Sequence, residues 1–203
     1  MKHPLLPVLA VAVGGLALAA CSSGASTSPS ASMPMGGQAS SMFAASSDCQ
    51  AYVKANPAAK VTTTKDYVMV AGVGPSEAMY TRAQATAQKP TSGELMISGM
   101  MDATNSMAMG TGTAMRHVEV HICSKATGKA LTGAMPLMTL SQGGNSSTIT
   151  NMSVAEMTGL DGNAADTHYG NNVSMMGGSD YSLRVMLDGQ AGTFSMTAPA
   201  MGQ

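Results

Sequence analysis

The stretch Arg116-His117-Val118-Glu119-Val120-His121-Ile122-Cys123 decides how the rest of this chain is read. It alternates β-branched apolar residues with metal-binding types at a strict period of two, and that is the period of a strand. Successive side chains of a strand point to opposite faces. Val118, Val120 and Ile122 therefore share one face, fit for packing, while His117, Glu119, His121 and Cys123 share the other. Along that second face His117, Glu119 and His121 follow one another at roughly 7 Å intervals, too wide for all three to grip one ion easily. Two neighbours can do so, with the third in support or in an adjacent site. The same pattern also describes the wet face of a half-buried sheet, and both readings stand at this point.

Working outward, the neighbouring segments carry the same kind of signal. Lys65–Val73 is rich in β-formers and ends at Gly74-Pro75. Glu94–Ser98 is a second candidate, followed by a long Gly, Met and Thr loop over 99–114. After the turn at Lys125–Lys129, strands are expected around Ala130–Ala134, Leu137–Leu140 and Thr148–Ala155. Tyr181–Leu187 alternates cleanly, Asp188-Gly189 is a hairpin turn, and Gly192–Met196 returns. A short helix is expected from Asp48 to Asn56, stopped by Pro57, and another from a Ser76-Glu77 cap through Ala78 to Gln88. Short strands at close spacing predict a mainly β protein, an antiparallel β-sandwich.

A second chemistry-bearing stretch is Asp166-Thr167-His168-Tyr169-Gly170-Asn171-Asn172. Its residues favour turns, so His168 is expected on a loop projecting from the sheet. Upstream, Met157 is placed to bring a thioether near it. The fourth histidine is His3, so His117, His121 and His168 are the three available to a folded domain.

The N-terminus reads as an address. An apolar run from Leu5 to Ala20 ends at Leu18-Ala19-Ala20-Cys21, the pattern of a bacterial lipoprotein signal, in which cleavage leaves a cysteine that carries the lipid. Residues 1–20 are thus the expected signal peptide. Acyl chains on Cys21 would anchor the protein to the cell membrane on its extracytoplasmic side, each buried methylene adding roughly 0.8 kcal/mol. Residues 21–47 are Ser, Gly, Ala, Thr, Pro and Met with almost nothing to bury, the composition of a disordered tether. Residues 48–203 then form one domain. Ten basic residues face eleven acidic ones, a balance that offers nothing to nucleic acid.

With Cys21 lipidated, Cys49 and Cys123 remain, and an exported chain lives where disulfides persist. A Cys49–Cys123 bridge is expected; the rival reading makes Cys123 a thiolate ligand. The composition also holds 21 methionines beside two Phe and no Trp. Pairs such as Met33/Met35, Met100/Met101, Met107/Met109 and Met175/Met176 sit in glycine-rich or polar sequence, where soft thioethers suit Cu(I). Compositional drift explains them equally well.

Taken together, the His-x-Glu strand at His117 and Glu119, the His-Tyr-Gly-x-Asn run from His168 to Asn172 and the strand near Tyr181–Leu183 resemble the periplasmic P19-type iron-transport-associated metal-binding proteins. The likeness spans Glu94 to Met196. It implies an immunoglobulin-like sandwich, a homodimer, and copper or iron(II) held by His117, Glu119 and His168, with Met157 as the thioether. Three departures alter the site. His121 follows Glu119 more closely than the family's next histidine does. Met157 lies farther from His168 than the family's methionine. No histidine follows His168, so His121 is the candidate replacement for the absent ligand.

The expected function is a lipid-anchored extracytoplasmic protein that captures, buffers or hands on copper or iron(II), with a metal transporter as receiving partner. The alternative is a non-catalytic envelope lipoprotein that binds a protein or surface component through its loops. No nucleophile motif, phosphate loop or paired-carboxylate pattern is present in the sequence, and no catalysis is expected.

Overall fold

The computed structural model describes residues 47–99, 113–143 and 149–200. The signal peptide, Cys21, nearly all of the tether, and the methionine pairs at 33/35, 100/101 and 107/109 lie outside the described residues. Within them the chain is a β-sandwich of two sheets. In chain order the elements are α1 (Asp48–Ala55), β1 (Lys60–Thr63), β2 (Tyr67–Pro75), β3 (Met79–Thr81), α2 (Arg82–Gln88), β4 (Glu94–Gly99), β5 (Thr113–Ser124), β6 (Leu137–Gln142), β7 (Ile149–Asn151), β8 (Ala155–Gly159), a 3-10 turn (Ala164–Asp166), β9 (His168–Met176), β10 (Asp180–Leu187) and β11 (Gln190–Thr197). Seven strands form one sheet in the order β1-β2-β5-β9-β8-β4-β3, and four form the other in the order β11-β10-β6-β7. Every pairing is antiparallel except β3 with β4.

The opening stretch lies in β5, paired with β2 on one side and β9 on the other. Its parity holds. Val118, Val120 and Ile122 are fully buried between the sheets with Met69, Tyr169, Leu183, Val185 and Phe194. Methionine does much of the filling that aromatics do elsewhere: Met69, Met138, Met152, Met175 and Met196 all belong to this core. An unbranched thioether adapts to irregular gaps. Met175 is therefore a packing residue, while its neighbour Met176 stays partly exposed.

The opposite face of the seven-stranded sheet is covered by α1. A Cys49–Cys123 disulfide fixes the helix there, and Val53, Ala59, Val61, Val68 and Val70 form a second, smaller core beneath it. The bridge excludes Cys123 as a thiolate ligand.

Four expectations are corrected by the fold. The helix expected from Ala78 is shorter: Met79–Thr81 instead pairs with β4, and α2 starts at Arg82. Thr81 supplies the cap, its hydroxyl accepting from the Gln84 amide while Gln84 Oε1 accepts from the Thr81 amide, a reciprocal box that outcompetes Ser76. Ala130–Ala134 is not a strand; Ala130 makes one isolated bridge to Cys123. The expected strand 148–155 is divided between sheets, β7 pairing with β6 and β8 with β4 and β9, so residues 152–154 cross from one layer to the other.

The fourth correction bears on function. His168 is on no projecting loop; it opens β9, inside the sheet between β5 and β8. β8 pairs with His168–Gly170 and β5 with Tyr169–Asn172, supplying backbone partners that turn-forming residues otherwise seek, and tertiary pairing overrides propensity. Gly170 is required there, because a side chain would run into the Val118 carbonyl across the ladder.

Candidate metal centre

Register brings the two stretches together. His117 pairs with Asn172, Glu119 with Gly170, and Met157 of β8 with His168. Directly paired residues of antiparallel strands share a face, so His117, Glu119, His121, Met157, His168 and Asn172 all belong to the side covered by α1. The ring centroids of His117 and His168 are 6.0 Å apart, and those of His121 and His168 5.1 Å. Glu94, at the start of β4, completes the set from the far side of β8 and pairs with His168 Nε2.

Among the described residues two groups of candidate ligating atoms result, each with its members within 4.8 Å of one another. One is Glu94, His117, Glu119 and His168; the other is His121, Asp166 and His168. Either can hold a metal ion. The structure thus brings His117, Glu119 and His168 into one group and places His121 in the second. Met157 is fully buried beside His168 in register. Glu94 and Asp166 were not anticipated. Glu94 reads locally as the first residue of an ordinary strand, and only the strand order β9-β8-β4 places it near His168.

The hydrogen bonds fix which ring nitrogens are free. Asn172 is clamped by the backbone of Glu77: the Glu77 amide donates to Asn172 Oδ1 at 3.0 Å and Asn172 Nδ2 donates to the Glu77 carbonyl at 2.7 Å. Its oxygen therefore faces His117 Nδ1, 3.3 Å away, and that nitrogen must donate. The lone pair of His117 is left on Nε2, which is buried and has no hydrogen-bond partner among the described residues. His168 repeats the arrangement. Its Nδ1 donates to the Asp166 carbonyl at 2.9 Å, leaving Nε2 to face Glu94 and, at 3.8 Å, Glu119 Oε2. A ring that spends one N–H on a carbonyl and aims its other nitrogen inward is the usual state of a metal-ligating histidine.

The electrostatics agree. Burial alone would discharge His168, but its bond to Glu94 and the charges of Glu94 and Glu119 outweigh that and raise its pKa to about 9. Burial likewise opposes ionisation of Glu119; contact with His121, the charges of His168 and His121, and a bond from Tyr52 prevail and lower it to about 2. In the metal-free protein a proton on His168 thus balances part of the carboxylate charge.

Tyr52 covers the centre from α1. It lies one helical turn beyond Cys49, as His121 lies two strand positions before Cys123, so the disulfide sets the Tyr52 ring against the His121 ring, centroids 3.8 Å apart. Its hydroxyl donates to Glu119 Oε1 at 2.5 Å, and burial, followed by the Glu119 charge, holds it protonated well beyond the ordinary tyrosine range. Tyr52, Glu119 and Glu77 reach the wall of an open groove of about 870 Å³, which gives the centre a route to solvent. Comparison with family models, with curated proteins and with solved structures finds no match to this chain.

Proposed function

We propose that this chain is a lipid-anchored, extracytoplasmic metal-binding protein that captures, buffers or hands on copper or iron(II). The observation that carries the reading is the pair of buried imidazoles, His117 and His168, whose Nδ1 atoms are both engaged and which share one ligand group with the carboxylates of Glu94 and Glu119, both of them met by His168 Nε2. Two nitrogens and two carboxylates suit iron(II) and copper(II), and the thioether of Met157 on the same face adds a preference for copper, Cu(I) above all. The likeness to the iron-transport-associated proteins points the same way. A metal transporter would be the receiving partner, and a homodimer is the assembly that likeness implies. The Cys49–Cys123 bond supports an oxidising compartment, in keeping with the signal read at Cys21. The proposed role is binding, with no catalytic step.

Calorimetry on the chain from residue 21, without a histidine tag, would compare Cu(II), Cu(I) under reductant, and Mn(II) in place of iron(II). Binding by the parent and loss of about 10–100-fold in affinity in His117→Ala and His168→Ala is the expected result. Variants that bind as tightly as the parent would remove the assignment. A second reading, an envelope protein that docks a partner, is favoured by one feature: Met135, just before β6, and Leu137, its first residue, stand 88% and 70% exposed. A parent that binds none of these ions would turn attention there.

A further inference from the structure

The metal-binding reading accounts for one group of ligands and leaves a second one unexplained. His121 is 2% exposed, and its Nε2 has no hydrogen-bond partner among the described residues. Glu119 Oε2 lies 3.5 Å from it, a charge contact with poor geometry for a hydrogen bond. An imidazole nitrogen left this way costs free energy unless something else binds it. Asp166 and His168 supply ligand atoms within 4.8 Å of a His121 ring nitrogen.

We infer that the ion has two overlapping stations that share His168: an outer one made by His121, Asp166 and His168, and an inner one made by His117, Glu94, Glu119 and His168. The inference rests on the proposed metal-binding role and adds a path to it. His168 Nδ1 is committed to the Asp166 carbonyl, so a single lone pair, on Nε2, serves both stations. One lone pair binds one cation, and the stations therefore fill in alternation. They also differ in access. Asp166 is exposed on the 3-10 turn, whereas His117 and Glu94 are buried and Glu119 meets solvent only at the groove wall beside Tyr52. An ion arriving at Asp166 would keep His168 throughout and exchange His121 and Asp166 for His117, Glu94 and Glu119. It would never be left without a ligand.

The test uses Cu(II) alone as probe on the chain from residue 21, with bound copper counted by mass spectrometry and ligating nitrogens counted by electron paramagnetic resonance. The parent should hold one ion, coupled to two nitrogens. In His117→Ala the outer station still offers His121 and His168, so two nitrogens should remain. In that background Asp166→Asn should weaken binding by about ten-fold or more, while Glu94→Gln should change it by no more than about two-fold. In His121→Ala the dependence should reverse. Asparagine keeps an oxygen for the Gly159 amide that Asp166 now accepts from at 3.0 Å, so the turn is preserved. Where an alanine variant loses the folded circular dichroism spectrum, His117→Gln or His121→Gln replaces it. Two ions per parent chain, one nitrogen in the His117 variant, or indifference to Asp166 in that background would each overturn the two-station inference. A parent that binds no copper would instead overturn the metal-binding reading itself.

Discussion

Gly72 stands directly opposite Glu119 in the β2–β5 register, and the space its missing side chain leaves is filled by the Tyr52 hydroxyl that bonds Glu119. On the other side of β5, Glu119 faces Gly170 of β9. The carboxylate is thus flanked by a glycine on each neighbouring strand, and the covering helix closes down on it. Gly72→Ala would collide with Tyr52 and break this bond. Hydrogen bonds to a charged group are worth about 1.5–3 kcal/mol, and a loss of that size in urea unfolding is expected, matched by Tyr52→Phe and not additive with it. An alanine variant as stable as the parent would show that the close approach is dispensable.

Metal-free stability should depend on pH in a defined way. His168 titrates above its ordinary 6.5, at about 9, so its contribution is complete below 6.5 and disappears as pH rises through 9. Glu119 titrates below its ordinary 4.5, at about 2, so its contribution is complete above 4.5 and disappears as pH falls toward 2. These two groups together give greatest stability between 4.5 and 6.5. Chemical unfolding from pH 6.5 to about 9, compared with His168→Gln, measures the alkaline arm; equal slopes in parent and variant would deny His168 its part.

A cation on His168 Nε2 must displace that proton. Metal affinity is therefore expected to rise with pH and to level off above about 9. Proton release on binding, read by calorimetry in buffers of different ionisation enthalpy, checks it. Release of no proton at pH 7 would place the ion elsewhere.

Asn172 belongs to the centre without needing to touch an ion. It sets the tautomer of His117, and Glu77 sets Asn172. Asn172→Ala should weaken metal binding by about 10–100-fold. Asn172→Asp, which keeps an acceptor for both His117 and the Glu77 amide, should recover part of that loss. If both variants bind alike, tautomer control is not the reason.

The disulfide should matter to the site as well as to the fold. Closing a loop across 74 positions is worth about 4 kcal/mol in the chain-entropy model, and replacing Cys49 and Cys123 together by alanine should cost about 2–5 kcal/mol. Because the bond seats α1, it should also free Tyr52 from Glu119. Tyrosine absorbance titration measures this: the Tyr52 hydroxyl should ionise at lower pH in the double variant.

The sequence by itself determined the layer structure and one ligand face. The alternation in residues 116–123 is a local property, so it could be read without knowing any partner strand, and the same holds for the Asp188-Gly189 hairpin and for two cysteines left to pair. Tertiary structure alone decided the rest. His168 looks like a turn residue because Gly and Asn follow close behind it, yet pairing with Met157 of β8 holds it in the sheet. Glu94 carries no local mark of a ligand; β8 must lie between β4 and β9 before its carboxylate meets that ring. Strand order arises from which apolar faces bury each other across the whole chain, and no window of neighbouring residues contains it.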